Sequence, residues 1–286
     1  MPHDQRLFVV GLPETGKSSF IQALDEVLRN PRSDKDLRSY GLADDRSYLE
    51  REKDRYHAGE ELERNNRLTE NTSVELWFED PTSGRRCRLQ LPDRKGEVFK
   101  DQWVDRRWSR EYRDELLGLS GALVFVRADE KSQNQELLGQ LIESAGQDNE
   151  PRTTRWDARK ASAQVQLVDV LQFIGEAGIL DERFRVAVMI SAWDTVLADK
   201  TGFRSRDPEV LLQQEWALLS QYLRSNEDVF EHRVYGVSAY GGTPGKLGKT
   251  AELPPHERVQ LVDGSGVLPD FTCPLKWILS SPCDEV

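Results

Sequence analysis

Short apolar runs alternate with longer amphipathic stretches along this 286-residue chain. Nearly continuous apolar runs, typical of strands buried on both faces of a parallel sheet, occur at 7–10, 121–126 and 186–190, and a weaker one at 233–237. Apolar residues at helical spacing occupy 19–28, 136–145, 161–176, 208–224 and 274–279. Strands that alternate with helices predict an α/β fold, a three-layer sandwich in which helices cover both faces of a mainly parallel sheet.

Residues 73–79 and 86–91 have a different pattern, because apolar and polar side chains alternate there. The turn-forming sequence from Asp80 to Gly84 separates them, so together they predict a hairpin that adds one antiparallel strand to the sheet. The polar stretch 30–68 predicts a solvated surface segment or a mobile one, with a charged helical piece near 48–53.

The length fits a single domain over 1–286. The span between Asp129 and Arg183 is longer than one crossover helix requires, so a largely helical insertion is expected over about 129–183. The core of the domain would then cover about 5–128 and 184–282.

Charge and cysteine content narrow the function classes. A formal net charge of -11 argues against a nucleic-acid duplex as the main partner. Three cysteines without metal-ligand spacing predict reduced thiols and no zinc site. No apolar run approaches the ~20 residues that a membrane span needs, and a polar start leaves no room for a secretory signal, so a cytoplasmic location is expected.

The most specific motif follows the first apolar run, where residues 11–18 read GLPETGKS and match the phosphate-binding loop G-x-x-x-x-G-K-S. Glycines allow the loop to turn its N–H groups inward at a helix N-terminus, Lys17 carries positive charge to the β- and γ-phosphates, and the Ser18 hydroxyl ligates Mg²⁺. The predicted phosphate-site residues are Gly11, Glu14, Thr15, Gly16, Lys17, Ser18 and Ser19.

Further motifs follow later predicted strands in a fixed order. DRKG follows the hairpin at 93–96, SAWD follows the strand 186–190 at 191–194, and Ser238-Ala239 follows the last strand. The carboxyl ends of strands are where open α/β sheets bind ligands. In this arrangement the chain resembles the TRAFAC-class P-loop GTPases, both Ras-like and translation-factor-like, and the small bacterial double-GTPases of conflict and defence systems.

The resemblance implies roles for these residues. Asp93 would support Mg²⁺, the N–H of Gly96 would meet the γ-phosphate, and Thr72, with Thr69 as its rival, would be the threonine of the first switch segment that completes the metal site. Asp194 would accept hydrogen bonds from guanine N1–H and the exocyclic amine, which adenine cannot replace. Ser238 and Ala239 would form the loop whose backbone N–H contacts guanine O6.

The chain departs from the pattern at two places. Ser191 and Ala192 replace the usual Asn or Thr and Lys before Asp194, which reduces the expected guanine affinity. Glu97 stands where Ras-like enzymes have a water-orienting glutamine, and a carboxylate beside an anionic γ-phosphate predicts slow turnover. Arg67, Arg94 or Lys95 could act as a cationic finger in cis.

Three functions remain open at this point. The leading one is a GTP-hydrolysing switch that carries GTP or GDP with Mg²⁺ and is read by a protein effector or a second GTPase, since Phe99, Trp103 and Trp108 lie among charges in the second switch segment. A small-molecule kinase would use Arg152, Arg155 and Arg159 of the insertion as a lid. A nucleotide-binding adaptor that never hydrolyses is suggested by Glu97 and Ala192.

Overall fold

The computed structural model describes residues 4–41, 47–62, 74–91, 118–128, 161–176 and 183–280. The strands are β1 (Gln5–Gly11), β2 (Arg38–Ser39), β3 (Val74–Glu79), β4 (Arg86–Leu91), β5 (Leu119–Arg127), β6 (Phe184–Ser191), β7 (Phe230–Ser238), β8 (Gln260–Asp263) and β9 (Gly266–Leu268). The α-helices are α1 (Lys17–Arg29), α2 (Ser47–Ala58), α3 (Ala163–Glu176), α4 (Trp193–Ala198), α5 (Pro208–Glu215), α6 (Ala217–Ser225), α7 (Pro255–Arg258) and α8 (Cys273–Leu279). A 3₁₀ helix covers Gly248–Glu252.

The described strands form one mixed sheet in the order β2-β3-β4-β1-β5-β6-β7-β8-β9. Its middle is parallel, from β4 through β1, β5 and β6 to β7. The predicted hairpin of β3 and β4 is confirmed, and β2 pairs with its outer strand. Because the central strands are parallel, the segments that follow β1, β6 and β7 all leave the sheet at the same edge.

Helices cover both faces of the sheet, which confirms the predicted α/β class. Alternate residues of β1 illustrate how the layers form, since Leu7 and Val9 pack into a core with α1, α2 and α8 while Phe8 and Val10 pack into a core with α3 to α6. Helix α3 lies inside the range predicted as an insertion, and its buried Leu167 and Leu171 belong to the second core.

The prediction that 30–68 is a solvated surface segment is wrong for α2. Tyr48, Leu49, Glu52 and Tyr56 are 5%, 1%, 1% and 1% exposed, and they recur at the spacing of one helical face. The many charged residues between them hide this stripe in the composition, although the spacing itself was a usable signal. Helix α2 therefore packs as an integral part of the first core.

Strands β2, β8 and β9 were not predicted, and they extend the sheet beyond its parallel centre. All three are short, and β8 pairs antiparallel with β7 at Gly236 to Ser238. Strands of this length carry too few alternating residues to stand out in a sequence. The predicted helix over 208–224 is also divided, because α5 ends at Glu215 and α6 begins at Ala217, with the buried Trp216 between them.

A glycine on β7 makes room for the largest fully buried side chain of the described residues. The indole of Trp193, at the start of α4, is 1% exposed. A Cβ at Gly236 would lie 2.3 Å from Trp193 Cδ2, far inside van der Waals contact. The tight fit of α4 on β7 therefore depends on the missing side chain at position 236.

We expect Gly236→Ala to lower the free energy of unfolding by about 1–3 kcal/mol, because the added methyl group overpacks the Trp193 site. Urea unfolding followed by tryptophan fluorescence measures the change. Gly264→Ala is the matched control, since its Cβ would meet Asp207 at an ordinary 3.5 Å. Equal stabilities of the two variants would show that Trp193 does not depend on Gly236.

Candidate functional site

The phosphate-binding loop joins β1 to α1 through backbone conformations that need its glycines. Gly16 has a φ of +84°, and a Cβ there would lie 2.9 Å from both Cβ and Oγ of Ser191 at the end of β6. A Cβ on Gly11 would lie 2.9 Å from Thr15 Oγ1 and 3.0 Å from Phe125. The loop is thus packed against two neighbouring strands, which fixes its shape.

The loop opens onto the N-terminus of α1. Gly16 is the N-cap, so no side chain caps this helix, and no acidic residue lies in its first turn. The first N–H groups of a helix have no intrahelical partner, and the helix dipole adds positive potential there. An anion is the group that such an end binds best.

Lys17 lies in this cradle as a buried cation. Its Nζ donates to the carbonyl oxygens of Gly11 at 2.8 Å and Leu12 at 2.5 Å, and Thr15 Oγ1 donates to the same Leu12 oxygen at 2.8 Å. Burial lowers the pKa of Lys17 to about 8, because neutral carbonyls compensate only in part for the lost water. A bound phosphate would supply the missing negative charge.

Arg127 closes the outer side of the loop. It is the last residue of β5, and its Nη1 donates to the carbonyl oxygen of Glu14 at 3.0 Å. Glu14 has a φ of +68°, which is uncommon for a residue with a side chain. The hydrogen bond from Arg127 holds this turn in place.

A second polar cluster surrounds the carboxylate of Asp194, which lies in the first turn of α4. Ser238 Oγ donates to its Oδ1 at 3.2 Å, and Thr243 Oγ1 donates to its Oδ2 at 2.9 Å. Each carboxylate oxygen can accept a further hydrogen bond, so the two hydroxyls orient the carboxylate and leave it able to accept from a ligand. The group is an oriented acceptor that suits a ligand with two adjacent donors.

The turn that presents Asp194 begins at Ala192, whose φ is +55°. Thr195 Oγ1 donates to the Ala192 carbonyl oxygen at 2.7 Å and stabilises this turn. Beside it, Ser191 Oγ is buried and has no hydrogen-bond partner within the described ranges. Since Ser191 packs against Gly16, the Asp194 cluster and the phosphate-binding loop adjoin each other.

The loop after β7, residues 239–247, completes the site. Residues 241–250 resemble a second phosphate loop only superficially: they lead into the 3₁₀ helix and the four-residue α7, and Thr243 contacts Asp194 instead. Thr243 was not predicted as a site residue, because a lone threonine in a glycine-rich loop carries no motif.

Several predicted site residues lie outside the described residues, so the structure does not test them. They are Arg67, Thr69, Thr72, Asp93, Arg94, Lys95, Gly96, Glu97, Phe99, Trp103, Trp108, Arg152, Arg155 and Arg159, together with the predicted helix 136–145. The structure brings together the phosphate-binding loop, Ser191 to Asp194, Ser238 and Ala239 at one edge of the sheet.

Two features are absent from the described residues. No group of three or more His, Cys, Asp or Glu side chains in these ranges could hold a metal ion. None of the helices within them is long and apolar enough to cross a bilayer.

A phosphate-binding loop at the carboxyl edge of a mainly parallel sheet, with an oriented carboxylate two strands away, defines the class of P-loop nucleotide-binding proteins. The sequence model of the Double-GTPase 1 family matches residues 8–278. The chain belongs to this GTPase family, which confirms the resemblance inferred from the motifs. No curated protein matches the chain.

Three solved structures are similar to this chain at low identity. The signal recognition particle receptor SRb-GTP/SRX complex from Chaetomium thermophilum is 11% identical with a TM-score of 0.41, covering 88% of this chain and 98% of that one. The G domain of the T. maritima FeoB iron transporter is 12% identical with a TM-score of 0.32, covering 87% and 98%. A bacterial selenocysteine-specific elongation factor is 15% identical with a TM-score of 0.34, covering 84% and 26%.

The lowered pKa of Lys17 predicts proton uptake when a nucleoside triphosphate binds. With a pKa of about 8 in the free protein, half of the Lys17 side chains are neutral at pH 8, and a bound phosphate restores the cation. Affinity should be constant well below pH 8 and should fall towards tenfold per pH unit above it. Calorimetry at pH 8 in two buffers of different ionisation enthalpy should show uptake of about half a proton. A binding enthalpy independent of the buffer would contradict this assignment.

Proposed function

We propose that the chain is a guanine-nucleotide switch that binds GTP and GDP with Mg²⁺, hydrolyses GTP slowly and is read by a protein partner. Membership of a GTPase family and the phosphate-binding loop support nucleotide binding. The observation that carries guanine selectivity is the Asp194 carboxylate, held by Ser238 and Thr243 at the edge where the loop lies. Guanine offers two adjacent donors to such an acceptor, whereas adenine would leave the carboxylate unpaired.

The residues proposed for the metal fit Mg²⁺. Ser18 follows Lys17 in the first turn of α1, and the other two ligands would be Thr72 and Asp93. Two hydroxyls and one carboxylate form an all-oxygen set, which is the set that Mg²⁺ prefers, with water and phosphate oxygens completing the shell. When bound, the metal neutralises charge on the β- and γ-phosphates.

Hydrolysis would depend on positioning and charge neutralisation by this chain's own residues. Lys17 holds the terminal phosphates, the N–H groups of the loop and of Gly96 orient them, and Thr72 closes the site from the first switch segment. Glu97 would accept a hydrogen bond from the attacking water, but its negative charge near the γ-phosphate opposes the reaction. Slow turnover is the expected result.

The proposed partner is a protein that contacts the second switch segment, either an effector or a second GTPase. Phe99, Trp103 and Trp108 lie there among arginines, a composition favoured at interfaces. A role in bacterial defence belongs to this proposal through the resemblance to double-GTPases. The cytoplasmic location expected from the cysteine content and the short apolar runs is also part of it.

The decisive variant for guanine recognition is Asp194→Asn. An amide donates where the carboxylate accepted, so we expect GTP affinity to fall by at least about tenfold and affinity for xanthosine triphosphate to rise, because the xanthine 2-oxo group accepts from the new amide. Competition against a fluorescent GTP analogue measures GTP, ATP and xanthosine triphosphate in parallel.

Lys17→Ala is the negative control in that experiment, because it removes the cation proposed to hold the phosphates and should abolish binding of all three nucleotides. Asp207→Asn is a control for the loss of an acidic side chain, since Asp207 caps α5 and is not part of the Asp194 cluster. If Asp194→Asn retains the preference of the wild-type protein for GTP over ATP, another residue reads the base.

Replacing Glu97 tests the proposed cause of slow hydrolysis. Glu97→Gln removes the negative charge but keeps a hydrogen-bonding group, so we expect kcat for GTP to rise by about tenfold or more while KM changes little. Steady-state formation of GDP and of free phosphate, each with and without small-molecule acceptors, measures kcat and KM. A fall in kcat would make Glu97 a required catalytic group, and GDP formation that depends on an acceptor, without release of phosphate, would indicate a kinase.

A further inference from the structure

The end of helix α2 is fastened to the loop that follows β7. Tyr56 Oη donates to the carbonyl oxygen of Ala239 at 2.7 Å, and Tyr240 Oη donates to the carbonyl oxygen of Glu60 at 3.0 Å. The two rings pack with their centroids 5.0 Å apart. The backbone N–H of Gly245 donates to Gly59 at 2.8 Å. These contacts join two segments that are about 180 residues apart in the sequence.

Both tyrosines are well placed to impose a fixed conformation. Tyr56 is 1% and Tyr240 is 5% exposed, so neither hydroxyl can readily exchange its protein partner for water. Desolvation raises the pKa of Tyr56 and raises that of Tyr240 to about 12, and each hydroxyl therefore remains a neutral donor over the physiological range. Removal of either hydroxyl leaves its carbonyl partner without this donor.

The surroundings leave the loop little freedom to adjust. A Cβ on Gly241 would lie 2.0 Å from the Arg258 carbonyl oxygen, so the loop passes directly against the end of α7. Arg258 is itself buried and its Nη1 donates to the carbonyl oxygen of His57 at 2.9 Å. Helix α2, the loop and α7 thus form one interlocked unit.

We infer that Tyr56 is a positioning residue for recognition of the purine 6-position, because its hydroxyl fixes the Ala239 carbonyl and thereby limits rotation about the Ala239 backbone bonds that join this carbonyl to the Ala239 N–H. This inference rests on the proposed guanine site. Ser238 is fixed on one side by β7 and by Asp194, and the Ala239 carbonyl is fixed on the other side by Tyr56. The peptide unit that carries the Ala239 N–H lies between these two anchors, so its direction is restricted from both sides, and in the proposed guanine site this N–H would meet the ligand's exocyclic oxygen.

The 6-position of the base and its N1–H and 2-amino groups are then recognised by separate parts of the site. Tyr56 acts through the loop N–H on the 6-position, whereas Thr243 acts through the Asp194 carboxylate on N1–H and the 2-amino group. Loss of the contact to the 6-position should leave the contacts of Asp194 intact, and the reverse should also hold. Nucleotide analogues altered at only one of these positions can therefore distinguish them.

The test compares Tyr56→Phe with the wild-type full chain. Dissociation constants are measured for GTP, for 6-thio-GTP, whose sulfur is a weaker acceptor at position 6, and for ITP, which lacks the 2-amino group. We expect Tyr56→Phe to weaken GTP binding about 5–10-fold and to bring the ratio of 6-thio-GTP to GTP affinity close to one. The ratio of ITP to GTP affinity should stay at its wild-type value.

Three further variants give the comparison its controls. Thr243→Val should show the opposite pattern, with loss of ITP discrimination only. Tyr240→Phe releases the neighbouring residue from Glu60 and should act in the same direction as Tyr56→Phe, which keeps the inference testable if one variant fails to fold. Tyr222→Phe removes a hydroxyl from a ring of α6 that packs on Phe230 of β7, and it should leave every ratio unchanged.

Two results would overturn the inference. An equal loss of affinity for all three nucleotides in Tyr56→Phe would mean that the hydroxyl supports the fold without directing the loop N–H, and unchanged affinities would mean that it does neither. A wild-type protein that binds ATP as tightly as GTP would instead refute the proposed guanine site, and the inference with it. The wild-type GTP and ATP titrations separate this failure from the other two.

Discussion

The packing of Gly16 against Ser191 is the constraint on which the rest of the site depends. It brings the start of α1 into contact with the end of β6, with 2.9 Å separating a position-16 Cβ from the Ser191 side chain. A larger residue at either position would push the phosphate-binding loop away from the turn that carries Asp194. The separation between the phosphate-binding and acceptor parts of the site is therefore determined by close packing at one point.

Parallel strand order extends this constraint to the other loops. Strands β1, β6 and β7 each end at the same edge of the sheet, so three segments far apart in sequence converge there. Buried polar side chains then fix the irregular segments beyond the strands. Arg258 donates to the carbonyl oxygens of Leu253, Ala251 and His57, and Tyr56 donates to Ala239. Such groups give a loop the defined shape that hydrophobic packing alone cannot supply.

The sequence was sufficient for the centre of the molecule and insufficient for its edges. Long apolar strands and a full-length phosphate motif predicted β1, β5, β6 and β7, the α/β class and the location of the phosphate-binding loop. The burial of α2 was not predicted, because Tyr48, Leu49 and Tyr56 lie between many charged residues. Strands β8 and β9 were not predicted because they are short. Thr243 and Tyr56 act through hydrogen bonds to residues about 50 and 180 positions away, and no local pattern encodes such contacts.

The turn at Ala192 shows how the chain orients Asp194 without the lysine that the resemblance to TRAFAC-class GTPases implies at this position. A residue with a Cβ at φ +55° carries a cost of about 1–3 kcal/mol, so the left-handed turn persists only because its surroundings enforce it. The Thr195 hydroxyl donates to the Ala192 carbonyl oxygen. The indole of Trp193, the residue after Ala192, packs directly against Gly236 of β7. An alanine cannot cover the base as the replaced lysine would, but the turn it makes directs Asp194 towards Ser238 and Thr243. Recognition of the base would then depend on an oriented carboxylate and a fixed loop N–H, both held by hydroxyl groups of this chain.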